Sequence, residues 1–323
     1  MHRFPPLPDL DAPETPDDLL QGHLWLLELI DGTGLRFSMD ESGLLRFGGP
    51  EATYADLDAV PIALRPAVRG VRERFDREAL RSAVDEPAGV TFLGVATRRR
   101  GTDYDWDRIP PFLGTDVWVG AADEATAREG AGARAGEGTF RPPDAAAAIF
   151  DGIGLEPVNA VAREVNARDF DPDDYAVPAS AWRDGPAAGV VVRNKRGGRG
   201  MIRRAGDDAD PLVGDERAAD GRDGCPADLE ELAATHAVSK RFEPIVAALE
   251  RRGEPATVDG LADRTLEAVA RETALQFGEG ETGPHEVDIA RFRASVVDRA
   301  RAFLDERRGG SGGAASLGRT DEE

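Results

Sequence analysis

The sequence predicts an α+β chain in which an antiparallel-sheet domain precedes a small all-α C-terminal domain. Three observations support this fold class. Short apolar runs separated by glycines dominate the first two thirds of the chain, as is typical of strands joined by turns. An acidic stretch at 205–226, rich in Asp, Glu, Gly and Pro, is typical of a linker. Beyond it, apolar residues recur at helical spacing as far as position 308.

The elements of the first domain follow from these apolar runs. Runs at 24–27, 35–39 and 44–47 predict an antiparallel meander, because glycines separate them. Apolar positions at helical spacing predict a helix over 61–84. Further strands are predicted at 89–96, 112–119 and 189–194. A short helix at 145–153, an extended segment at 157–159 and a helix at 161–170 complete the predicted elements.

Composition sets the predicted domain boundaries. Residues 1–20 are rich in proline and acids, which favours a loose arm. The sheet domain is predicted to span 21–204 and to carry an exposed, partly disordered insertion rich in Ala, Gly and Glu at 121–147. The helical domain spans 227–308, and residues 309–323 form a disordered tail.

The helical domain is predicted to contain three helices. The first covers 229–252, where Pro244 should kink or split it. Thr257 is a good N-cap for a second helix that ends at Phe277. The third covers 287–308 and should stop at Gly309.

The charge of the chain is strongly negative. It carries 61 acidic and 40 basic residues, for a net charge of -21, and Lys195 and Lys240 are its only lysines. This composition is typical of a salt-adapted, halophilic protein, in which surface acids serve solvation. The alternative is that the acids attract a basic partner or cations. Acidity argues against nucleic-acid binding, but weakly in molar salt, where the Debye length is about 3 Å.

Cysteine content and hydropathy limit the class of protein. Cys225 is the single cysteine, so neither an intrachain disulfide nor a cysteine zinc cluster can form, and a reactive thiol is the alternative role. No apolar run approaches 18 residues, and the N-terminus lacks the apolar core of a signal peptide. We therefore expect a soluble cytoplasmic protein without a membrane partner or a disulfide partner.

Five segments, in order, carry a family resemblance. They are Glu28-Leu29-Ile30-Asp31-Gly32, Thr91 to Thr97, Thr115-Asp116-Val117, Ala188 to Arg193, and Met201-Ile202-Arg203. Together they resemble the motifs of the RNA ligase 2-type family, within the lysine-dependent nucleotidyltransferases. The resemblance covers roughly residues 23–204. It implies an RNA ligase-like nucleotidyltransferase fold for the first domain.

The resemblance also implies a chemistry that this chain lacks. In the family, the lysine of Lys-x-Asp-Gly attacks the α-phosphate of ATP, acids hold Mg²⁺ and the ribose, and cations hold the triphosphate. The matching positions here are Leu29, Val95, Ala188 and Met201. Leucine has no lone pair and cannot be a nucleophile. We therefore assign no catalytic residue and no metal ligand, and expect ATP and Mg²⁺ only if the pocket still functions.

The remaining motif positions are candidates for a nucleotide pocket. They are Glu28, Asp31, Gly32, Arg36, Asp116, Gly189 and Arg203. Two of them have a purely structural alternative: Asp31 with Gly32 could close a hairpin, and Asp116 could cap a strand end.

Other residues could replace the missing nucleophile. Lys195 lies seven residues after Ala188, so the period of two in a strand predicts that it points away from the pocket. Lys240 lies in the predicted helical domain. His23 could carry a nucleotidyl group, but a surface histidine is the alternative. We expect none of them to restore lysyl-adenylate chemistry.

One sustained basic segment, at 193–204, stands out in the acidic chain; Arg98 to Arg100 form a shorter one. Arginine side chains bind phosphate in a bidentate way, and glycines let the backbone approach closely. Candidates for RNA or phosphate binding are Arg193, Lys195, Arg196, Arg199 and Arg204. The alternative is that this hairpin pairs with the protein's own acids.

Three functional hypotheses follow. The first is a catalytically degenerate RNA ligase-like protein that binds RNA ends or a nucleotide. The second is an active ATP-dependent RNA ligase or nucleotidyltransferase with a displaced nucleophile. The third is a non-catalytic partner of an intact ligase that acts through its helical domain.

Overall fold

The computed structural model describes residues 1–120, 138–204, 229–278 and 286–313, the last five without their side chains. The chain separates into two compact units, Met1–Ala218 and Ala219–Glu323. The unit boundary falls within the predicted linker, which lies outside the described residues together with Cys225 and most of the predicted insertion. The α+β fold class, with antiparallel sheets followed by a helical region, is confirmed.

Two antiparallel sheets build the first unit. One sheet has the order β7-β1-β8-β9, formed by Ala160–Asn166, His23–Leu29, Gly189–Asn194 and Arg199–Arg203. The other has the order β3-β2-β4-β5-β6, formed by Leu45–Gly48, Gly32–Met39, Val90–Thr97, Phe112–Val119 and Thr139–Phe140. Three helices accompany the sheets: α1 (Arg65–Arg74), α2 (Arg77–Ala83) and α3 (Pro143–Gly152).

The predicted three-strand meander is wrong at its first connection. β1 pairs with β7 and β8, whereas β2 pairs with β3 and β4, so the chain changes sheets at Asp31 and Gly32. The hairpin interpretation of Asp31-Gly32 is therefore wrong. Both faces of β1 are apolar, which suits a central strand, and Gly32 is required because a Cβ there would lie 2.5 Å from the Ala96 carbonyl oxygen.

The predicted helix at 161–170 is also wrong, because β7 occupies Ala160–Asn166 and only a short 3-10 turn follows. Val161, Ala162 and Val165 pack against the apolar cluster beneath the sheet, and Arg163 is exposed. The buried positions do not alternate strictly, because register shifts interrupt the pairing of this strand with β1. Pairing with β1 therefore overrides the weaker helical pattern.

The predicted helix at 61–84 is two helices joined at Phe75 and Asp76. The Asp76 carboxylate accepts hydrogen bonds from the backbone N–H groups of Glu78 and Ala79, each at 2.9 Å. It is therefore an N-cap that restarts the helix. Phe75 turns inward at the break and packs edge-on against Phe37, with ring centroids 5.4 Å apart.

Three apolar clusters stabilise the described part of the first unit. The largest lies between the second sheet and its helices, and contains a buried aromatic group formed by Phe37, Phe47, Phe75, Phe92, Phe112 and Phe150. A second cluster contains residues of both sheets, among them Trp25, Val95 and Leu113. The third covers the opposite face of the first sheet, around Leu24 and Val192.

The N-terminal segment differs from the loose arm that composition predicts. Residues 8–10 bond to β9 on either side of Met201: its N–H donates to the Pro8 carbonyl at 2.9 Å, and the Leu10 N–H donates to its carbonyl at 2.8 Å. Leu19 is fully buried. The C-terminal part of the predicted insertion is ordered as well, since residues 139–147 contribute β6 and the start of α3.

The second unit contains four helices among its described residues: α4 (Leu229–His236), α5 (Ser239–Arg251), α6 (Val258–Glu272) and α7 (Ile289–Gly313). The first predicted helix divides at Ala237 and Val238, and Pro244 lies inside α5. A proline removes only one backbone hydrogen bond from a helix, so packing against neighbouring residues can keep α5 continuous through Pro244.

The ends of the next helices also differ in part from prediction. Thr257 caps α6 as predicted, with its hydroxyl accepting from the Gly260 N–H at 3.0 Å. α6 ends at Glu272, where β10 (Gln276–Gly278) follows and pairs in parallel with β11 (Glu286–Asp288). α7 continues past Gly309 to Gly313. None of the described helices is long and apolar enough to cross a bilayer.

Candidate functional site

A cleft in the first unit brings several of the motif residues together. Its walls are mainly apolar, and its polar members are Glu28, Thr115, Asp116, Arg193 and Arg199. The apolar lining comes from both sheets and from the N-terminal segment, namely Phe4, Pro5, Leu7, Leu27, Leu29, Ile30, Val95, Val158 and Val191.

Strand periodicity explains which residues of the first sheet reach the cleft. Leu24 and Leu26 face the cluster beneath the sheet, so Leu27 and Leu29 face the other side. On β8, Val190 and Val192 face that cluster, which turns Val191 and Arg193 to the cleft.

Asp116 reaches the cleft because of a β-bulge. On β4, Leu93 pairs with Asp116 and Gly94 pairs with Gly114, so Thr115 is an extra residue. The bulge reverses the inside–outside alternation of β5. Phe112 precedes it and Val117 follows it, yet both enter the same aromatic core. Asp116 consequently points to the opposite face of the sheet.

Asp116 is held between two buried arginines. Its Oδ1 lies 2.9 Å from Arg193 Nη2 and 2.8 Å from Arg199 Nη1. Arg193 also donates from Nη1 to the Thr115 carbonyl at 2.9 Å, and the guanidinium of Arg199 lies 5.0 Å from the centre of the Phe140 ring. This arginine–aspartate triad has a net charge of about +1, since one carboxylate faces two guanidiniums.

Burial and charge oppose each other within the triad. Burial alone would raise the pKa of Asp116, but the guanidiniums of Arg193 and Arg199 outweigh it and hold the pKa below its ordinary value. Burial lowers the pKa of Arg193 to about 10, although Asp116 opposes that shift. Asp116 and Arg193 are therefore both charged near neutral pH. Arg193 Nε is buried without a hydrogen-bond partner among the described residues.

Glu28 is buried and its carboxylate is fully engaged by the protein. It accepts from Ser180 Oγ at 2.5 Å, from Asn159 Nδ2 at 3.1 Å and from the Ala181 N–H at 3.1 Å. These bonds fix the segment 157–181 against β1. A carboxylate with three donors is a structural acceptor and has little capacity left for a ligand.

Asp31 holds a loop and does not line the cleft. Its Oδ2 accepts from the backbone N–H groups of Gly101 and Thr102, at 2.8 and 2.7 Å. Its own N–H donates to the hydroxyl oxygen of Tyr104 at 2.8 Å, and burial raises the pKa of that hydroxyl. Asp31 thus fixes the loop that carries Arg98 to Arg100.

We expect Asp31→Ala to lower the free energy of unfolding by about 1–2 kcal/mol, because the Gly101 and Thr102 N–H groups lose their acceptor. Urea denaturation measures the change. Asp40→Ala is the matched control, because Asp40 accepts similar bonds from Ser42 and Leu44 in an exposed turn, where water can replace it. Equal losses in the two variants would contradict this role for Asp31.

The four positions that lack the family's chemistry divide into two groups. Leu29 and Val95 line the cleft and present only hydrocarbon to it. Ala188 and Met201 are buried but do not line it, and Met201 is covered by residues 8–10. Gly189 pairs with Leu29 across the two strands, and Gly32 lies at the junction between the sheets.

Lys195 does not reach the cleft, but the parity argument for this was wrong. Arg193, not Ala188, faces the cleft, and Lys195 lies in the turn after β8 ends at Asn194. Its Nζ contacts Glu164 at 2.7 Å and Asp144 at 3.1 Å. Both carboxylates raise the pKa of Lys195, and Glu164 has the larger effect. The amine is therefore protonated and is not a nucleophile.

Other residues of the basic segment also contact the protein itself. Arg203 Nε lies 3.0 Å from Asp9, and Arg196 Nη1 lies 3.4 Å from the side-chain oxygen of Gln21. The contact of Arg203, like the pairs of Lys195, Arg193 and Arg199, is with the protein's own acids, as the alternative for this hairpin expects. Arg204 donates its N–H to the Ala188 carbonyl at 2.9 Å.

The remaining candidates lie apart from the cleft. His23 is exposed at the start of β1, and Lys240 lies in α5 of the second unit. Arg36 is buried on β2 and donates to the His2 carbonyl at 3.0 Å. Burial, and then the charge of Arg3, lower the pKa of Arg36.

Sequence reasoning missed the N-terminal residues that line the cleft. Phe4, Pro5 and Leu7 lie at its wall although composition predicts a loose arm. The available signal was the alternation of prolines with apolar residues in Phe4-Pro5-Pro6-Leu7-Pro8, which favours an extended segment able to lie along a groove.

Comparisons with known proteins identify similar folds only. No family model and no curated protein matches the chain. A variant of the Naegleria gruberi RNA ligase, determined with ATP and Mn, aligns with a TM-score of 0.45 and 10% identity, over 64% of this chain and 56% of that chain. An archaeal ATP-dependent RNA ligase aligns with a TM-score of 0.42 and 15% identity, over 97% and 67%.

A second form of the archaeal enzyme aligns with a TM-score of 0.40 and 13% identity, over 93% of this chain and 63% of that chain. These three structures are of RNA ligases. The chain spans just over half the length of the Naegleria ligase. At these TM-scores the likeness assigns the chain neither an activity nor a substrate.

Proposed function

We propose that the chain is a catalytically degenerate RNA ligase-like protein that binds a nucleotide or an RNA end without forming a covalent adenylate. One observation carries the proposal: Leu29 and Val95 face the same cleft as Arg193 and Arg199. The cleft keeps cationic groups that suit a phosphate, while the positions of the nucleophile and of one metal-binding acid are hydrocarbon.

The residues present do not fit the Mg²⁺ that this ligase class implies. Mg²⁺ requires several oxygen ligands with nearly octahedral geometry. Of the cleft carboxylates, Glu28 already accepts three hydrogen bonds, and Asp116 lies between two guanidiniums. A carboxylate between two cations has no negative potential left to attract a third. We therefore derive no metal-dependent step.

The lining and charge of the cleft suit an anionic ligand with an apolar part. The apolar walls can hold a base, and the triad supplies a positive charge of about +1 in surroundings that water screens weakly. A nucleotide combines these two features.

We expect no covalent label when the protein is incubated with α-labelled ATP and Mg²⁺ and then denatured on a gel. Leu29 cannot attack phosphorus, and Lys195 is paired with two acids. An active ligase of this class, labelled in the same gel, is the positive control. A stoichiometric band from this protein would contradict the proposal and favour the displaced-nucleophile hypothesis.

Binding is tested separately by calorimetry with ATP. Arg199→Met should weaken ATP binding by about tenfold or more, because the triad then becomes electrically neutral while Asp116 keeps Arg193 as its partner. Arg196→Met is the matched control, since Arg196 is exposed in the neighbouring turn. Equal affinity in wild type and Arg199→Met would count against the triad as the phosphate site.

The hypothesis of a non-catalytic ligase partner predicts a different outcome in these experiments. A protein that binds neither ATP nor a 5′-phosphorylated RNA oligonucleotide, yet associates with an intact ligase, would be a non-catalytic partner. Loss of that association on replacing α5 surface residues would assign the interaction to the helical unit.

A further inference from the structure

His2 lies on an aromatic shelf next to the cleft. Its imidazole stacks on the indole of Trp118, with ring centroids 4.5 Å apart and planes 5° apart. Phe140 meets it edge-on at 5.3 Å. Phe140 also contacts the Arg199 guanidinium, so the shelf is continuous with the arginine–aspartate triad of the cleft.

The indole of Trp118 is supported from beneath by two glycines. A Cβ at Gly120 or at Gly138 would overlap its six-membered ring, so the backbone lies directly against the indole. Trp118 follows Asp116 by two residues, so both side chains lie on the same face of the sheet. The backbone at Gly120 and Gly138 thus packs against an indole whose ring plane also stacks with His2.

Two buried polar groups hold the backbone of residue 2 at the shelf. The His2 N–H donates to Thr91 Oγ1 at 3.1 Å, and Arg36 Nη1 donates to the His2 carbonyl at 3.0 Å. Arg36 is only 3% exposed, and its Nε finds no partner among the described residues. The shelf therefore offers one acceptor, one buried cation and one stacking surface.

The segment that occupies the shelf is not itself buried. His2 is exposed although its ring is stacked, and no residue of 1–10 is classed as buried. Partial desolvation of the stacked ring, then the charge of the N-terminus and that of Arg36, lower the pKa of His2, so the ring is neutral near neutral pH. A neutral heterocycle with an N–H donor and a carbonyl acceptor nearby has the recognition features of a nucleobase.

We propose that the shelf formed by Trp118, Phe140, Thr91 and Arg36 is a subsite for a nucleobase, and that His2 occupies it until a ligand displaces residues 1–7. This inference rests on the proposed nucleotide-binding function and assigns the position of the base. The same segment lines the cleft through Phe4, Pro5 and Leu7, so one displacement opens both sites.

The test uses the full chain with adenosine, which carries a base but no phosphate. His2→Ala should bind adenosine about 3- to 10-fold more tightly than wild type, because it removes the internal competitor. Trp118→Leu in that background should weaken binding about 5- to 150-fold, the range expected for the loss of one base–aromatic stack. Thermal unfolding of each variant confirms that it folds.

Tryptophan fluorescence gives a second readout. Stacking of adenosine should quench Trp118, so Trp118→Leu should lose the quenching and Trp106→Phe should retain it. Arg196→Met, in the exposed turn that precedes Arg199, should leave adenosine binding unchanged. Adenosine affinity that is equal in wild type, His2→Ala and Trp118→Leu would overturn the subsite.

The two proposals fail in different ways. If ATP binds and depends on Arg199 but not on Trp118, the nucleotide-binding function stands and the shelf is not the base subsite. If neither ATP nor adenosine binds to wild type or to His2→Ala, both proposals are overturned.

Discussion

Replacing Asp116 by Asn should lower the free energy of unfolding by about 3–5 kcal/mol, the usual cost of removing one partner from a buried ion pair. Asparagine has nearly the same volume as aspartate, so the loss of stability measures the effect of removing the negative charge. Arg193 and Arg199 are then buried at 2% and 6% exposure without a counter-ion. Chemical denaturation of wild type and variant measures the difference.

Asp144→Asn is the matched control for this effect. Asp144 also pairs with a cation, Lys195, but its side chain is 45% exposed. Exposed pairs contribute about 0–1 kcal/mol, so this variant should be close to wild type. Similar losses in Asp116→Asn and Asp144→Asn would show that the triad is not the stabilising centre described here.

The same carboxylate gives a pH dependence of known sign. Because the folded-state pKa of Asp116 lies below the ordinary value of 3.8, its contribution is complete above that value. The contribution is lost as the pH falls through the lower folded-state pKa. Asp116→Asn should therefore lose less stability than wild type between neutral pH and acid.

Replacing Gly189 by Ala should cost about 3 kcal/mol or more, because the new methyl group has no space. It would overlap the Ile202 carbonyl oxygen and lie 2.9 Å from Leu29 Cδ2. The backbone of β8 cannot move away without breaking its hydrogen bonds to β1 and β9. The thermal midpoint and the urea midpoint should both fall.

Gly152→Ala is the matched control, because a Cβ at this helix end meets no heavy atom within 4 Å. Its stability should rise by as much as about 1 kcal/mol or stay unchanged, since alanine restricts the unfolded chain. A Gly189→Ala protein as stable as the Gly152→Ala protein would mean that β8 and β1 are not packed as described.

Strands that the sequence predicts well share one property. β4, β5 and β8 lie within about one residue of their predicted bounds, because each contains short apolar runs with a turn residue or glycine beside them. The strand at 160–166 lacks such runs, because its alanines and charged residues fit the period of a helix as well as that of a strand. Only pairing with β1 decides between strand and helix.

The sequence predicts which catalytic side chains the candidate site lacks better than it predicts how the remaining side chains are arranged. Leu29 and Val95 follow directly from the motif order, and both line the cleft. The pairing of Asp116 with Arg193 was not predictable, because the bulge at Thr115 reverses the parity of β5. That Trp118 shares the face of Asp116 follows from their spacing of two residues, but the bulge hides which face of the sheet it is.

The amino-acid sequence alone determines which atoms this protein can offer: hydrocarbon at position 29, two lysines, and a basic segment in an acidic chain. Side-chain chemistry is local and needs no fold to be known. Tertiary structure alone decides which charges neutralise one another and which surfaces are covered. Those outcomes depend on contacts between residues up to 194 positions apart, such as Arg203 with Asp9, and no local pattern encodes them.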